Sequence, residues 1–371
     1  LVNTVKISAR QFAILVTLFS TGTAILIIPG AMAQAAEQDA WLGAFIGTCT
    51  SLLLVALYNL IGRKYPTLTI IEMNETILGK WIGKLVSFSL IFFSFYASAI
   101  SLSDVGNFVS TQLMPETPNA AIQIIFVLIV IMGIRLGLET LARSAEILFG
   151  LFVVLFIFGA VVVLPQAEIK NIQPMFDSSI KHIIKSIFIY ISIFSLPLVV
   201  LLMIFPSCVQ PSKKAGKSFY MGILLAGLCL NIMIVVTTMV LGPYLSAHQM
   251  YASYAVARMM KIGDFLQRVE AIIAGMWMIS LYFKLSLYFY AVVIGLAQTL
   301  KLHDHRPLTL PIGMVLLIFS LIINPNVVIA DTFNAEVWPV YALTYGFLLP
   351  LFLLAVHLVR SIIQRNNNQK K

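Results

Sequence analysis

Ser20-Thr21-Gly22-Thr23-Ala24 interrupts the first long apolar run of this chain, and Ser195-Leu196-Pro197 interrupts a later one. In a bilayer every backbone amide and carbonyl needs a partner, so an unwound helix is tolerated only where protein, water or a bound solute supplies one. Interrupted helices at corresponding places in two halves of a chain mark a small-solute site near mid-membrane. The two breaks therefore decide the expected fold and point to where its chemistry should sit.

The surrounding sequence places these breaks in lipid. Of 371 residues, 60% are apolar and 11% charged, with a mean hydropathy of +0.97, a polytopic membrane composition. Cys49, Cys208 and Cys229 form no CxxC pair and lie in or beside apolar spans, which reads as burial rather than a disulfide or metal site. Lys6 and Arg10 before a run ending near Ala31-Met32-Ala33 imitate a cleavable signal peptide. The uncharged stretch from Gln11 to Ala36 is instead long enough to span a bilayer and is read as a retained helix.

Uncharged stretches bounded by charge or by Pro/Gly clusters predict ten transmembrane helices, near 11–35, 41–62, 85–110, 119–135, 145–165, 184–207, 217–242, 269–299, 308–325 and 337–360. The expected architecture is one all-α membrane domain, 1–371, made of two five-helix repeats, 11–165 and 184–360. An odd number of spans per half requires the second repeat to be inverted, and the breaks then fall in spans one and six, opening each half. With the N-terminus inside, 17 of the 24 Lys and Arg fall on the inner side, so the positive-inside rule predicts that both termini are cytoplasmic. The net charge of +9 is explained by this asymmetry and does not call for a nucleic-acid partner.

Two amphipathic segments are expected outside the spans. From Lys64 to Lys84, Ile71, Ile77, Leu78, Trp81, Ile82 and Leu85 recur at helical spacing, which predicts a helix lying on the inner surface, its start capped by Thr69 and Glu72. Asp264 and Arg268, four apart, suggest a second such helix outside, between spans seven and eight.

The candidate chemistry clusters at the breaks and at two deep charges. Gly22, flanked by Thr21 and Thr23, frees amides at a half-helix N-terminus, which suits a ligand carboxylate. Pro197 removes a helical hydrogen bond and frees a carbonyl. Lys284, deep in span eight, costs several kcal/mol unless paired or neutralised, and is a candidate to stand where a sodium ion sits in related folds or to carry a proton. Asp104 in span three is read as shallower, facing an outer vestibule or reaching Lys284, with Ser94, Ser98 and Ser101 on the same span as a polar face. Arg135, Glu139, Arg143 and Glu146 read as a salt-bridged inner surface, and His303-Asp304-His305 as a solvated loop. The chain has no HExxH, no GxSxG and no phosphate loop, so no enzymatic reading, cofactor or metal is expected.

Several stretches together resemble one family: Gln11-Phe12 with GTAILIIPG at 22–30, PTLTIIEMNETILGKWIGK at 66–84, RLGLETLARSAEI at 135–147, and IGDFLQRVEAI through Trp277 to Phe283-Lys284. The chain resembles the B subunits of bacterial spore germinant receptors, endospore germination permeases of the amino acid, polyamine and organocation superfamily. The resemblance implies a sodium-coupled transporter-type fold in the inner membrane of the spore, sensing a nutrient, commonly an amino acid, beside an A subunit and a C lipoprotein subunit. It implies a ligand site formed by Thr21, Gly22, Thr23, Ala24 and Ile25, by Ser98, Ser101 and Leu102, by Phe194, Ser195, Leu196 and Pro197, and by Lys284. A proton-coupled amino-acid symporter, using Lys284 or Asp104, is the alternative reading. The apolar side chains in this set favour a small or apolar amino acid, and no acidic partner for a basic one is expected.

Overall fold

The computed structural model describes residues 5–259, 270–323 and 332–369, with the side chains of the last helix described as far as Ile363. The helix expected around Asp264 and Arg268, and most of the 262–272 stretch that carries the family likeness, lie outside these residues.

The first apolar run folds as two helices, α1 (Ala9–Thr21) and α2 (Ala24–Ala36), separated at Gly22-Thr23. Gly22 still donates its N–H to the Leu18 carbonyl at 3.0 Å, but its φ of −29° and ψ of −96° leave the helical region and end α1. After a short 3₁₀ turn come α3 (Ala40–Lys64), α4 (Ile70–Leu78), α5 (Lys80–Phe108), α6 (Asn119–Leu136) and α7 (Leu138–Val163). The second half opens with α8 (Ile180–Phe194), which breaks at Ser195 into a 3₁₀ helix over Leu196–Met203, so both sequence breaks are breaks of the fold. Then follow α9 (Ser212–Ala247), α10 (Ala252–Arg258), α11 (Glu270–Thr299), α12 (Arg306–Ile323) and a final helical stretch, Phe333–Ile363.

Among the described residues nine stretches are long and apolar enough to cross a membrane. The first of them, Ala24–Lys64, runs the second part of broken span one into span two. The arrangement is concentric. Of the most apolar window of α11, 83% is buried in protein, against 22% for the stretch Leu138–Gln166, so α11 is the central post and α7 a peripheral helix facing lipid. Leu53, Ile125, Ile157, Ile318 and Phe352 point outward, as lipid-facing positions must.

Two expectations need correcting. The inner-surface helix does not run from Lys64 to Lys84: Gly79, at a φ of +89°, ends α4, and α5 starts at Lys80. A positive φ is cheap only for glycine, so the chain turns there, and Trp81, Ile82 and Leu85 become exposed residues at the start of span three. The Thr69–Glu72 capping box is present at the start of α4. Likewise Arg135 and Glu139 do not share a helix, because Gly137, at a φ of +94°, separates α6 from α7.

These acidic residues instead tie down the N-terminus. Glu139 accepts the Lys6 backbone N–H at 3.1 Å, while Glu146 accepts from Gln11 Nε2 at 3.0 Å and pairs with Arg10 at 3.8 Å. Residues Ile7–Ser8 (β1) then pair in parallel with Val209–Gln210 (β2), just beyond broken span six. In the loop before α12, Asp304 stands two residues ahead of the first helical residue, Arg306. Its carboxylate accepts the Arg306 N–H at 3.1 Å, and that bond holds its carboxyl below the ordinary carboxylate range.

Candidate functional site

Proline at position 29 inside α2 removes the N–H that would reach the Ile25 carbonyl. Ser253 of α10 restores the bond, its Oγ donating to that carbonyl at 2.8 Å. The same segment packs so closely that a Cβ on Gly30 would lie 2.5 Å from the Gln249 carbonyl oxygen. On this side, opposite the N-terminus, Phe108 stacks edge-on against Tyr251, Tyr254 and Trp277 at centroid distances of 5.0, 5.1 and 4.6 Å. On the N-terminal side, Phe12, Phe205 and Phe219 pack together at 5.2–5.6 Å beneath the β1–β2 pair. The two aromatic clusters pack among the helix ends on either side.

Between them lies a cavity of about 40 Å³ lined by Thr23 and Ile27 of α2, Ala97, Ile100, Ser101 and Asp104 of α5, Ile193 of α8, Lys284 and Tyr288 of α11, and Asn334 and Trp338 of the final stretch. Lys284 is 3% exposed. Its ammonium donates to Thr23 Oγ1 at 2.6 Å and to the Ile193 carbonyl at 3.5 Å, and lies 5.7 Å over the Phe19 ring. A hydroxyl, a carbonyl and an aromatic face together offset the cost of burying the charge. Gly22 makes this possible, since a Cβ there would sit 2.6 Å from Lys284 Cδ. The break in span one is thus a notch that lets the lysine stem cross α1 and reach the start of α2, which carries no side-chain cap.

Asp104 is not shallow. It is 6% exposed and lines the same cavity, on a stripe with Ala97, Ile100 and Ser101 at helical spacing. Among the described residues its carboxylate has no hydrogen-bond or direct ion-pair partner, although its charge and that of Lys284 act on each other. The cavity therefore contains an acidic group, in line with the reading in which Asp104 reaches toward Lys284 and not with the one in which it faces an outer vestibule.

Of the predicted site residues, Thr23, Ser101, Asp104 and Lys284 meet at the cavity, and Gly22 supports Lys284 from behind. The others have different surroundings. Thr21 Oγ1 donates to the Thr17 carbonyl at 2.8 Å and Ser98 Oγ to the Ser94 carbonyl at 2.7 Å, within their own helices. Ala24, Ile25 and Leu102 are buried in the core cluster away from the lining. Phe194 stacks on Tyr190 at 4.8 Å, and Ser195 Oγ turns back to the Ile191 carbonyl at 3.3 Å. Tyr58 donates to the Gly346 carbonyl at 2.6 Å and reaches the Leu196 carbonyl at 3.4 Å, so Leu196 and Pro197 are packed against the final stretch.

The carbonyls used at the second break come from just before the proline. Ile193 receives Lys284, and Ser192 receives the Trp338 indole N–H at 3.1 Å. Ile27, Tyr288, Asn334 and Trp338 were not singled out from the sequence. Ile27 and Tyr288 follow Thr23 and Lys284 by four positions and share their helix faces, a signal that was available; Asn334 and Trp338 carried none.

A closed bundle of membrane-length helices, with two of them broken around a buried charged cavity, has the architecture of a transporter. MhsT in complex with L-phenylalanine superposes with a TM-score of 0.65 at 13% identity, covering 94% of this chain and 97% of that one. A Na+-coupled sialic acid symporter in a substrate-bound outward-open state gives a TM-score of 0.62 at 13% identity, covering 91% and 79%. The fold is therefore that of the sodium-coupled transporter type. More specifically, the family described as Spore germination protein matches residues 6–328, and this chain belongs to that family. Spore germination protein KB of Bacillus subtilis (strain 168) is 30% identical over 95% of this chain and 94% of its own length. Putative spore germination protein YfkT of the same organism is 26% identical over 95% and 96%.

Proposed function

We propose that this protein is the nutrient-sensing membrane subunit of a spore germinant receptor, that it binds a small amino acid between the two broken spans, and that it signals through A and C partner subunits in the spore inner membrane. The observation that carries this reading is the unpartnered Asp104 carboxylate facing the same cavity as the Lys284 ammonium. A zwitterion is complementary to that pair. Its ammonium meets Asp104, and its carboxylate meets Lys284 and the uncapped start of α2 at Thr23. Ile27, Ala97, Ile100, Ile193 and Trp338 line the remainder, which favours a small, apolar side chain.

A cavity of about 40 Å³ holds little more than ordered water, so the ligand must favour a state in which the bundle has opened around it. Only that differential affinity allows a nutrient to bias partner subunits. In this reading the two repeats, 11–165 and 184–360, move against each other about the cavity, with both termini in the cytoplasm.

The test is a thermal-shift screen of amino acids on the purified chain, followed by labelled-solute uptake in proteoliposomes. A saturable rise in unfolding midpoint with one small zwitterion, lost in Asp104→Asn, and no accumulation of that solute, is the expected result. Accumulation driven by a proton gradient would replace the receptor with a symporter, and no response to any amino acid would remove the ligand class.

A further inference from the structure

A second polar cavity lies at the N-terminal side of the bundle, away from the Lys284 site. It has a volume of about 260 Å³ and lies between the end of α3, the turn after broken span six, and the first turns of α9. Three observations converge on it.

The start of α9 is electrostatically unsatisfied. Its N-cap is Pro211, which supplies no side-chain bond, and its first turn contains no acidic residue. Lys213 and Lys217 line the cavity from this positive helix end, and Arg63 adds a third cation from α3. Cations at a helix N-terminus oppose the macrodipole, so this arrangement is unfavourable until an anion joins it. Among the described residues no carboxylate lines the cavity. Finally, Asn59 is only 5% exposed and lines the cavity, yet neither its Nδ2 nor its Oδ1 has a partner. An orphaned buried amide is costly and calls for an explanation. Gly216 holds α9 directly over it, since a Cβ there would lie 2.9 Å from Asn59 Oδ1.

We propose that this cavity is a phosphate-group site, in which Arg63, Lys213, Lys217, the first amides of α9 and the Asn59 amide bind a phosphate monoester or diester. Its wall includes Phe205 and Pro206, immediately beyond the 3₁₀ part of span six, so an occupant bears on the broken helix directly. The phosphate has two possible sources, a dissolved anion or the headgroup of an anionic phospholipid. The proposal does not rest on the amino-acid site.

The test uses the full-length chain purified in a neutral detergent. Its unfolding midpoint is followed against sodium phosphate, against sodium chloride at matched ionic strength, and in mixed micelles containing phosphatidylglycerol or phosphatidylcholine. A saturable rise with phosphate or phosphatidylglycerol, beyond chloride and phosphatidylcholine, is expected. Response to phosphate alone identifies a dissolved ligand, to phosphatidylglycerol alone a lipid, and to both the phosphate group itself. Asn59→Leu, which removes the orphaned amide, should fold at least as stably as the parent and respond about tenfold more weakly. Arg63→Gln should do the same, while Lys214→Ala, outside the cavity lining, should respond normally. If neither probe exceeds its control, or if Asn59→Leu and Arg63→Gln respond like the parent, the site does not exist.

Discussion

Lys284 and Asp104 are the residues on which the cavity turns, and their charges act on each other across it. Removing Lys284 takes away the charge that acts on the buried Asp104 carboxylate across the cavity, together with the hydrogen bonds to Thr23 and Ile193. Lys284→Ala is accordingly expected to lower the unfolding midpoint and abolish the nutrient response. Lys284→Ala combined with Asp104→Asn should recover most of the midpoint but not the response. An unchanged response in Lys284→Ala would show that the ammonium is not part of the site. Gly22 tests the same contact from behind. Gly22→Ala places a methyl 2.6 Å from Lys284 Cδ, and overpacking of this kind costs about 1–3 kcal/mol. In a Lys284→Ala background the contacts to Cδ and Cγ are gone while the 2.9 Å contact to Cβ stays, so the two effects should be partly non-additive in a double-mutant cycle.

At the scale of elements, the broken helices survive because neighbours satisfy what they leave open. Pro29 frees the Ile25 carbonyl and Ser253 closes it. Ser253→Ala should therefore destabilise by about 1–3 kcal/mol. In a Pro29→Ala background the helix can make its own bond, and the cost of Ser253→Ala should shrink to a few tenths. Equal costs in the two backgrounds would mean that the serine serves another purpose. The elements were mostly legible from sequence because the spans are long runs with few or no charges, bounded by charge or by Pro and Gly. The exceptions arose at Gly79 and Gly137, where a single positive φ redirects the chain inside a pattern that reads as continuously helical. Hydrophobic periodicity reports which face of a helix is apolar, and it cannot report that one residue has left the helical region.

For the molecule as a whole, the N-terminal strand and the segment after span six are held together by the β1–β2 pair, with Ile7 opposite Val209. Paired strands lie about 4.8 Å apart, within reach of a disulfide. Ile7→Cys with Val209→Cys, in a Cys208→Ser background, is expected to crosslink on oxidation and to suppress the ligand-induced midpoint shift; reduction should restore it. A full response in the oxidised protein would show that this end stays closed throughout signalling. The sequence by itself determined the membrane class, the two breaks, the deep lysine and the family likeness, because these depend on local composition and on residues whose cost in lipid is the same wherever the chain leads. Only the tertiary structure decided that Asp104 and Lys284 line one cavity, that the Ile193 carbonyl accepts the hydrogen bond of the Lys284 ammonium, that Trp338 completes the wall and that Asn59 lies orphaned beside a cluster of cations. Each of these is a meeting of residues from separate helices, and its geometry is set by how the helices pack rather than by any single stretch of chain.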